Sequence, residues 1–178
     1  MILSRALIAT PVGEMLALDS GDGLCALEFT GPGRQARLDG RRARWFPPHQ
    51  IADGETPTIA RTRAWLDAYF AGTSADISGL PLDMRGAPFE RRVWAALCSI
   101  PPGETTSYGA IARRIGSADA SRAVGAANGA NPIAIIVPCH RVIGSSGSLV
   151  GYGGGLDRKT WLLAHERRWG HEPQPSLF

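Results

Sequence analysis

The run Ile135-Ile136-Val137-Pro138-Cys139-His140-Arg141-Val142 constrains this chain more than any other stretch. Three consecutive β-branched residues suit the interior of a sheet, and proline cannot donate to a sheet ladder. The pattern predicts a buried strand that stops or bends at Pro138 and holds a cysteine at the rim of a core. A cysteine attacks as its thiolate, and a neighbouring histidine can take its proton or stabilise its charge. Taken alone, Cys139 fits a small buried hydrophobe better, the usual fate of a free cysteine. The rest of the chain reverses that order.

A chain of 178 residues suffices for one domain or two small ones. It has no apolar run long enough to span a bilayer and no charged-then-apolar start, so no membrane partner is expected. Cys25, Cys98 and Cys139 are odd in number, far apart and without CxxC spacing. Neither a disulfide framework nor a structural zinc site is expected, and a reducing cytoplasm fits best. His49, His165 and His171 show no ligand spacing and read as surface or satisfied core residues. The net charge of +3 is uneven: residues 1–82 balance at −1 and residues 83–178 at +4. An excess of that size lends only slight support to a polyanionic partner.

The texture of the chain changes at about the same place, so we expect an N-terminal domain, 1–82, and a C-terminal domain, 83–178. Residues 1–30 alternate apolar and polar positions around paired glycines, which predicts strands joined by tight turns, with Ser20-Gly21-Asp22-Gly23 a hairpin. The arginine-rich stretch 34–44 and Pro47-Pro48 read as loop or poorly ordered chain; the Arg42-Arg44 cluster could touch nucleic acid, but a solvated basic loop accounts for it better. Ile59, Ala60, Ala64, Trp65, Ala68 and Tyr69 recur at helical spacing up to Gly72, and 77–82 reads as one more strand.

The second half reads as mostly helical. Phe89, Val93, Trp94 and Leu97 recur at three- and four-residue steps behind Pro88, which suits a first turn. Pro101-Pro102-Gly103-Glu104 breaks that helix. Ser107 is placed to cap a short helix from Tyr108 to Ile115, stopped by Gly116, and Ser117 or Asp119 to cap a second from Ala120 to Gly129. Two short helices joined by a tight turn form the helix-turn-helix pattern, although core-packing hairpins look the same. A last helix runs from Asp157 to Trp169, with Trp161, Leu162 and His165 on one face. The fold class expected is α+β: a small antiparallel sheet with helix first, then a mostly helical domain.

The second short helix, Ala120 to Gly129, is built of small residues with Arg122 as its only long charge. Reading bases in a major groove takes several long polar side chains. A helix of alanine and glycine can instead approach a backbone closely, and one arginine can enter a minor groove or the base stack. Close helix packing with Arg122 as a surface charge explains the composition equally well. Past the thiol, Gly151-Tyr152-Gly153-Gly154-Gly155 is either a flexible loop or a stretch of exposed backbone able to bond a flat heterocycle. An enzyme that acts on a base in duplex DNA must first take it out of the stack.

The segment from Asn131-Pro132 through Pro138-Cys139-His140-Arg141-Val142-Ile143-Gly144 resembles the active-site signature of the O6-alkylguanine-DNA alkyltransferases. The resemblance extends from about Phe89 to Glu166, through Tyr108, Ser121-Arg122-Ala123-Val124-Gly125, the glycine run and Trp161-Leu162-Leu163-Ala164-His165-Glu166. It implies a ribonuclease H-like N-terminal domain and a winged helix-turn-helix C-terminal one. It implies Cys139 as alkyl acceptor, His140 as its activator through a water, Glu166 orienting His140, and Asn131 bracing the turn before the cysteine. Tyr108 would crowd the target phosphate and bond the purine, and Arg122 would fill the gap in the stack. Ser121, Ala123, Gly125, Ala126 and Arg141 would join them in contacting DNA. The substrate pocket would comprise Asn128, Ala134, Val142, Tyr152, Gly153 and Gly154. In it the carbonyls of Cys139 and Val142 would read the guanine amino group, and the Gly153 N–H would bond O6.

The implied partner is double-stranded DNA containing O6-alkylguanine, bound by a monomer, with cooperative assembly left open. The implied reaction is a single irreversible transfer to sulfur without a metal or other cofactor. Cys25 and His49 are too few to supply the Cys and His ligands of zinc-binding relatives. Two alternatives stand beside it. A DNA-binding sensor of alkylguanine would lack the acceptor cysteine, so Cys139 argues against it. A thiol hydrolase would need direct Cys–His contact, awkward for neighbours on an extended strand.

Overall fold

The computed structural model describes residues 1–31 and 33–169. The alternating pattern of the first thirty residues forms three antiparallel strands: β1 (Ile2–Ile8), β2 (Met15–Asp19) and β3 (Leu24–Phe29). The expected hairpin joins β2 to β3, closed by the Ser20 N–H on the Gly23 carbonyl at 3.0 Å. Gly23 has no alternative, because a Cβ there would stand 2.7 Å from the Pro81 carbonyl oxygen. The sheet is mixed, not purely antiparallel. A fourth strand, β4 (Gln50–Asp53), pairs parallel with β1, giving the order β3-β2-β1-β4.

The residues 34–44, expected as loop, are helical: α1 spans Arg34–Trp45. Leu38 is the only residue of α1 described as buried, so the helix carries almost no apolar periodicity to read. Leu38 packs on Leu3, Leu16, Leu18, Cys25 and Ala26, with Phe46 against the cluster. Neighbouring β2 residues face opposite sides of the sheet, and the other side meets α2 (Pro57–Phe70), where the Thr56 hydroxyl donates to Asp19 at 2.7 Å. Covered on both faces, β2 is buried throughout. Helix α2 matches its expected span, capped by Thr56 and stopped at Gly72. The strand expected over 77–82 is absent apart from a bridge between Leu82 and Leu24. The Asp76 carboxylate accepts from the Ser78 N–H and hydroxyl, and the Leu80 N–H closes a turn on Ile77.

The chain divides into two compact units, Met1–Arg85 and a second beginning at Gly86. In the second, α3 (Pro88–Cys98) starts with proline in its first turn and buries Val93, Trp94 and Leu97. The Trp94 indole donates to the Ala127 carbonyl at 2.8 Å, tying α3 to the end of α5 (Ser121–Gly129). A two-residue strand, β5 (Thr106–Ser107), leads into α4 (Tyr108–Arg114), whose N-terminus the Ser107 hydroxyl caps through the Ala110 N–H. Gly116, at φ 72°, ends α4 with the paired bonds Gly116 N–H to Arg113 and Ser117 N–H to Ala112. Ser117 thus serves the end of α4, and neither it nor Asp119 caps α5, which starts at Ser121 behind Ala120 without a side-chain cap. The last helix, α6, spans Leu156–Arg167. Fold class is α+β, a small sheet with helices followed by a mostly helical unit.

Residues 135–137 are not a strand. Ile135 has φ 70°, and the Ile136 N–H bonds the Ala134 carbonyl across it, a γ-turn that strains a β-branched residue. The Asn131 side chain holds this turn from inside, donating to the Val137 carbonyl at 2.8 Å and accepting from the Ile133 N–H at 2.9 Å. Burial of every residue from 131 to 142 explains the apolar composition without a sheet.

Candidate active site

Pro138, at φ −81° and ψ 61°, centres an inverse γ-turn closed by the Cys139 N–H on the Val137 carbonyl at 2.8 Å. Cys139, His140 and Arg141 then form one 3-10 turn before β6 (Val142–Ile143). Strand β6 pairs parallel with β5, Ser107 opposite Ile143. That pairing brings Tyr108, the first residue of α4, to the cysteine segment.

His140 and Glu166 are fully buried and meet at 2.7 Å, Nε2 to Oε1. A carboxylate only accepts, so Nε2 carries the proton and Nδ1 keeps its lone pair. Nδ1 is buried with no hydrogen-bond partner among the described residues. Glu166 also accepts from Arg141 Nε and Nη2, each at 2.9 Å, and from the Gly103 N–H at 3.1 Å. Burial alone would push the Glu166 carboxyl up, but His140 and Arg141 together hold it far below the ordinary carboxylate range. The charge always present is that of Arg141. Burial lowers the His140 imidazole from its ordinary value, against the pull of Glu166, so it rests neutral.

Arg141 was expected on DNA and is not available for it. Its guanidinium is buried, bonded to Glu166 and to the Ile100 carbonyl. Asn128, also buried, donates to the Cys139 carbonyl at 3.3 Å. Ala134 is buried within the strained turn. The Tyr152 ring stands edge-on to His140, centroids 6.3 Å apart. Gly154 is buried and its carbonyl accepts from Arg158, while Gly153 is half-buried in the turn that Gly155 closes on Tyr152. His165, read as surface or core, is buried and stacked on Trp161. His171 lies outside the described residues.

Sequence reasoning missed Lys159. It is fully buried and donates to the carbonyls of Val142, at 2.6 Å, and Val150, at 2.9 Å. The Tyr108 hydroxyl donates to the same Val150 carbonyl at 3.4 Å. Burial lowers the Lys159 ammonium, and proximity to Cys139 opposes the shift. Burial raises the Tyr108 phenol, as does the charge Cys139 can carry. The available signal was spacing: Lys159, Leu162, Leu163 and Glu166 form one stripe of α6, a lysine set among core positions.

Arg122, Ala123 and Ala126 form the exposed face of α5, with Ser121 and Gly125 half-buried beside them. A Cβ at Gly125 would lie 3.8 Å from the Tyr108 ring, so the helix and the tyrosine are in close contact. A groove of about 620 Å³ runs here, lined by Ser107, Tyr108, Gly109, Arg113, Ser121 and Arg122, with Gly125, Gly144 and Ser145. Among the described residues no three His, Cys, Asp or Glu side chains gather as a metal would need. None of the described helices is long and apolar enough to cross a membrane.

These features define a two-unit α+β protein whose helical half holds two short helices joined by a tight turn and a buried His140-Glu166-Arg141 network beside Cys139. Residues 88–168 match the 6-O-methylguanine DNA methyltransferase, DNA binding domain, and residues 3–84 match the ribonuclease-like domain of the same family. The chain belongs to the 6-O-methylguanine DNA methyltransferase family. It is 52% identical to a methylated-DNA–protein-cysteine methyltransferase of Mycolicibacterium paratuberculosis, over 90% of this chain and 94% of that one. A Mycobacterium leprae relative of the same name is 46% identical over 94% and 93%. The crystal structure of Mycobacterium tuberculosis O6-methylguanine methyltransferase superposes with a TM-score of 0.76 at 42% identity, covering 94% of each chain. The same bacterium's OGT, solved in complex with DNA, superposes with a TM-score of 0.74 at 42% identity, over 94% and 93%.

Proposed function

We propose that this protein repairs DNA by moving an alkyl group from guanine O6 to Cys139, once per chain. The observation that carries the reading is the imidazole of His140. Glu166 fixes its tautomer, and Nδ1 is left as the base, one residue from a buried cysteine. The Cys139 proton passes to Nδ1 through one water, and the thiolate attacks the alkyl carbon in line. The new S–C bond forms as the C–O6 bond breaks, and its electron pair leaves with guanine, which takes up a proton. Tyr108 bonds the purine as that charge develops, which makes guanine a better leaving group. A thioether is not reversed by cellular reductants, so the reaction is stoichiometric.

The substrate is a flipped nucleotide in duplex DNA. The small exposed face of α5 fits close approach to a narrow groove, with Arg122 filling the vacated stack. Asn131 braces the turn before Cys139, and Asn128 positions the Cys139 carbonyl toward the guanine amino group together with Val142. Ser121, Ala123, Gly125 and Ala126 contact the DNA backbone, and Ala134, Tyr152, Gly153 and Gly154 wall the pocket. O4-alkylthymine presents a comparable ring and is a second substrate. The protein acts as a monomer in the cytoplasm. A Cys139→Ser variant tests the assignment with labelled alkylated duplex: it retains binding and transfers nothing, whereas residual transfer would remove Cys139 from the chemistry.

A further inference from the structure

We infer that Arg113 is a second cationic contact to DNA in this chain, gripping a backbone phosphodiester beside the flipped nucleotide. The inference rests on the DNA-repair reading above and adds a residue to it. Among the described residues, Arg113 and Arg122 are the charged side chains that line the groove beside Tyr108, and no carboxylate lines it. Both are exposed, and neither makes a hydrogen bond or ion pair among the described residues. Other arginines of the chain are engaged: Arg5 with Asp53, Arg63 with Glu55, Arg85 with Asp83, Arg141 with Glu166.

The position of the side chain makes Arg113 more than a surface charge. A Cβ at Gly109 would stand 3.6 Å from Arg113 Nη1 and 3.6 Å from Ser121 Oγ. The guanidinium therefore lies back one turn over Gly109 and beside the start of α5, within the groove. The hydroxyls of Ser107, Ser121 and Ser145 line the same space. A fork of N–H donors amid hydroxyls, with no anion of its own, suits the oxygens of a phosphodiester. Such a contact fixes position and carries no sequence information.

Arg114 is the built-in control. It occupies the same last turn of α4, where a cation favours the helix dipole, but it donates to Ser99 Oγ at 2.6 Å and does not line the groove. The experiment measures affinity for an alkylated duplex between low and high salt, for wild type, Arg113→Ala, Arg113→Lys and Arg114→Ala. One lost phosphate contact flattens the slope of log affinity on log salt by about one unit, roughly a tenfold loss near 50 mM salt. Arg113→Ala should show that change, while Arg113→Lys and Arg114→Ala keep the wild-type slope. A wild-type slope in Arg113→Ala, or an equal loss in Arg114→Ala, would overturn the inference. A wild-type protein without salt-dependent duplex binding would instead overturn the DNA-repair reading itself.

Discussion

Glu166→Gln isolates the interaction on which the site is built. Glu166 accepts four hydrogen bonds, from His140, twice from Arg141 and from the Gly103 N–H. A glutamine keeps one acceptor oxygen and turns an amide N–H₂ toward donors, whichever way it flips. Arg141, itself buried, is left without an anion. Breaking a buried charge pair by removing one partner costs about 3–5 kcal/mol, and we expect a loss of that size in urea unfolding at neutral pH. The same change frees His140 to take the wrong tautomer, so methyl transfer should slow by about 100-fold or more, the usual worth of a positioned base. Duplex binding should change far less. The gap in stability also has a pH signature. The folded Glu166 carboxyl lies below its ordinary value, so its contribution is complete above the unfolded value of about 4.3 and fades as pH falls toward the folded one. Wild type should therefore converge on the variant below about pH 4. A stability loss under about 1 kcal/mol, the range of exposed pairs, with wild-type transfer rates, would refute the reasoning.

Three further outcomes follow from single contacts. Arg122→Ala should slow repair of duplex DNA far more than reaction with the free alkylated base, which needs no extrusion; equal losses would place the arginine in support of the active site. Asn131→Ala leaves the Ile133 N–H unpaired in a buried turn and takes one of two donors from the Val137 carbonyl, which keeps the Cys139 N–H, and should cost about 1–3 kcal/mol in urea unfolding. Gly86→Ala would drive a Cβ into the buried Trp94 ring, so thermal unfolding should show overpacking of about 1–3 kcal/mol.

What the sequence made legible was local. Pro88, Ser107, Gly72 and Gly116 act within one turn of themselves, and each starts or stops a helix where its chemistry predicts. The hairpin at Gly21 and Gly23 belongs with them. Helix α1 escaped because Leu38 is its only described buried residue, and β4 because Gln50, Ala52 and Asp53 are exposed at a sheet edge and Ile51 alone is half-buried. The segment before Cys139 misled for the opposite reason: β-branched composition reports burial, and here burial comes from a braced turn. Arg141 and Lys159 show the same limit at the site. Their sequence neighbours gave no sign that a guanidinium would face Glu166 or that an ammonium would hold two carbonyls. Those roles arise only when α6 packs on the turn at residues 139–141.

The most direct test of the account is the mass of the intact protein after incubation with a duplex containing O6-methylguanine. One methyl group per chain, mapped to Cys139 and not exceeded with excess DNA, is the predicted result. An unmodified Cys139 in protein that has demethylated its DNA, or tight binding with no gain in mass, would contradict it.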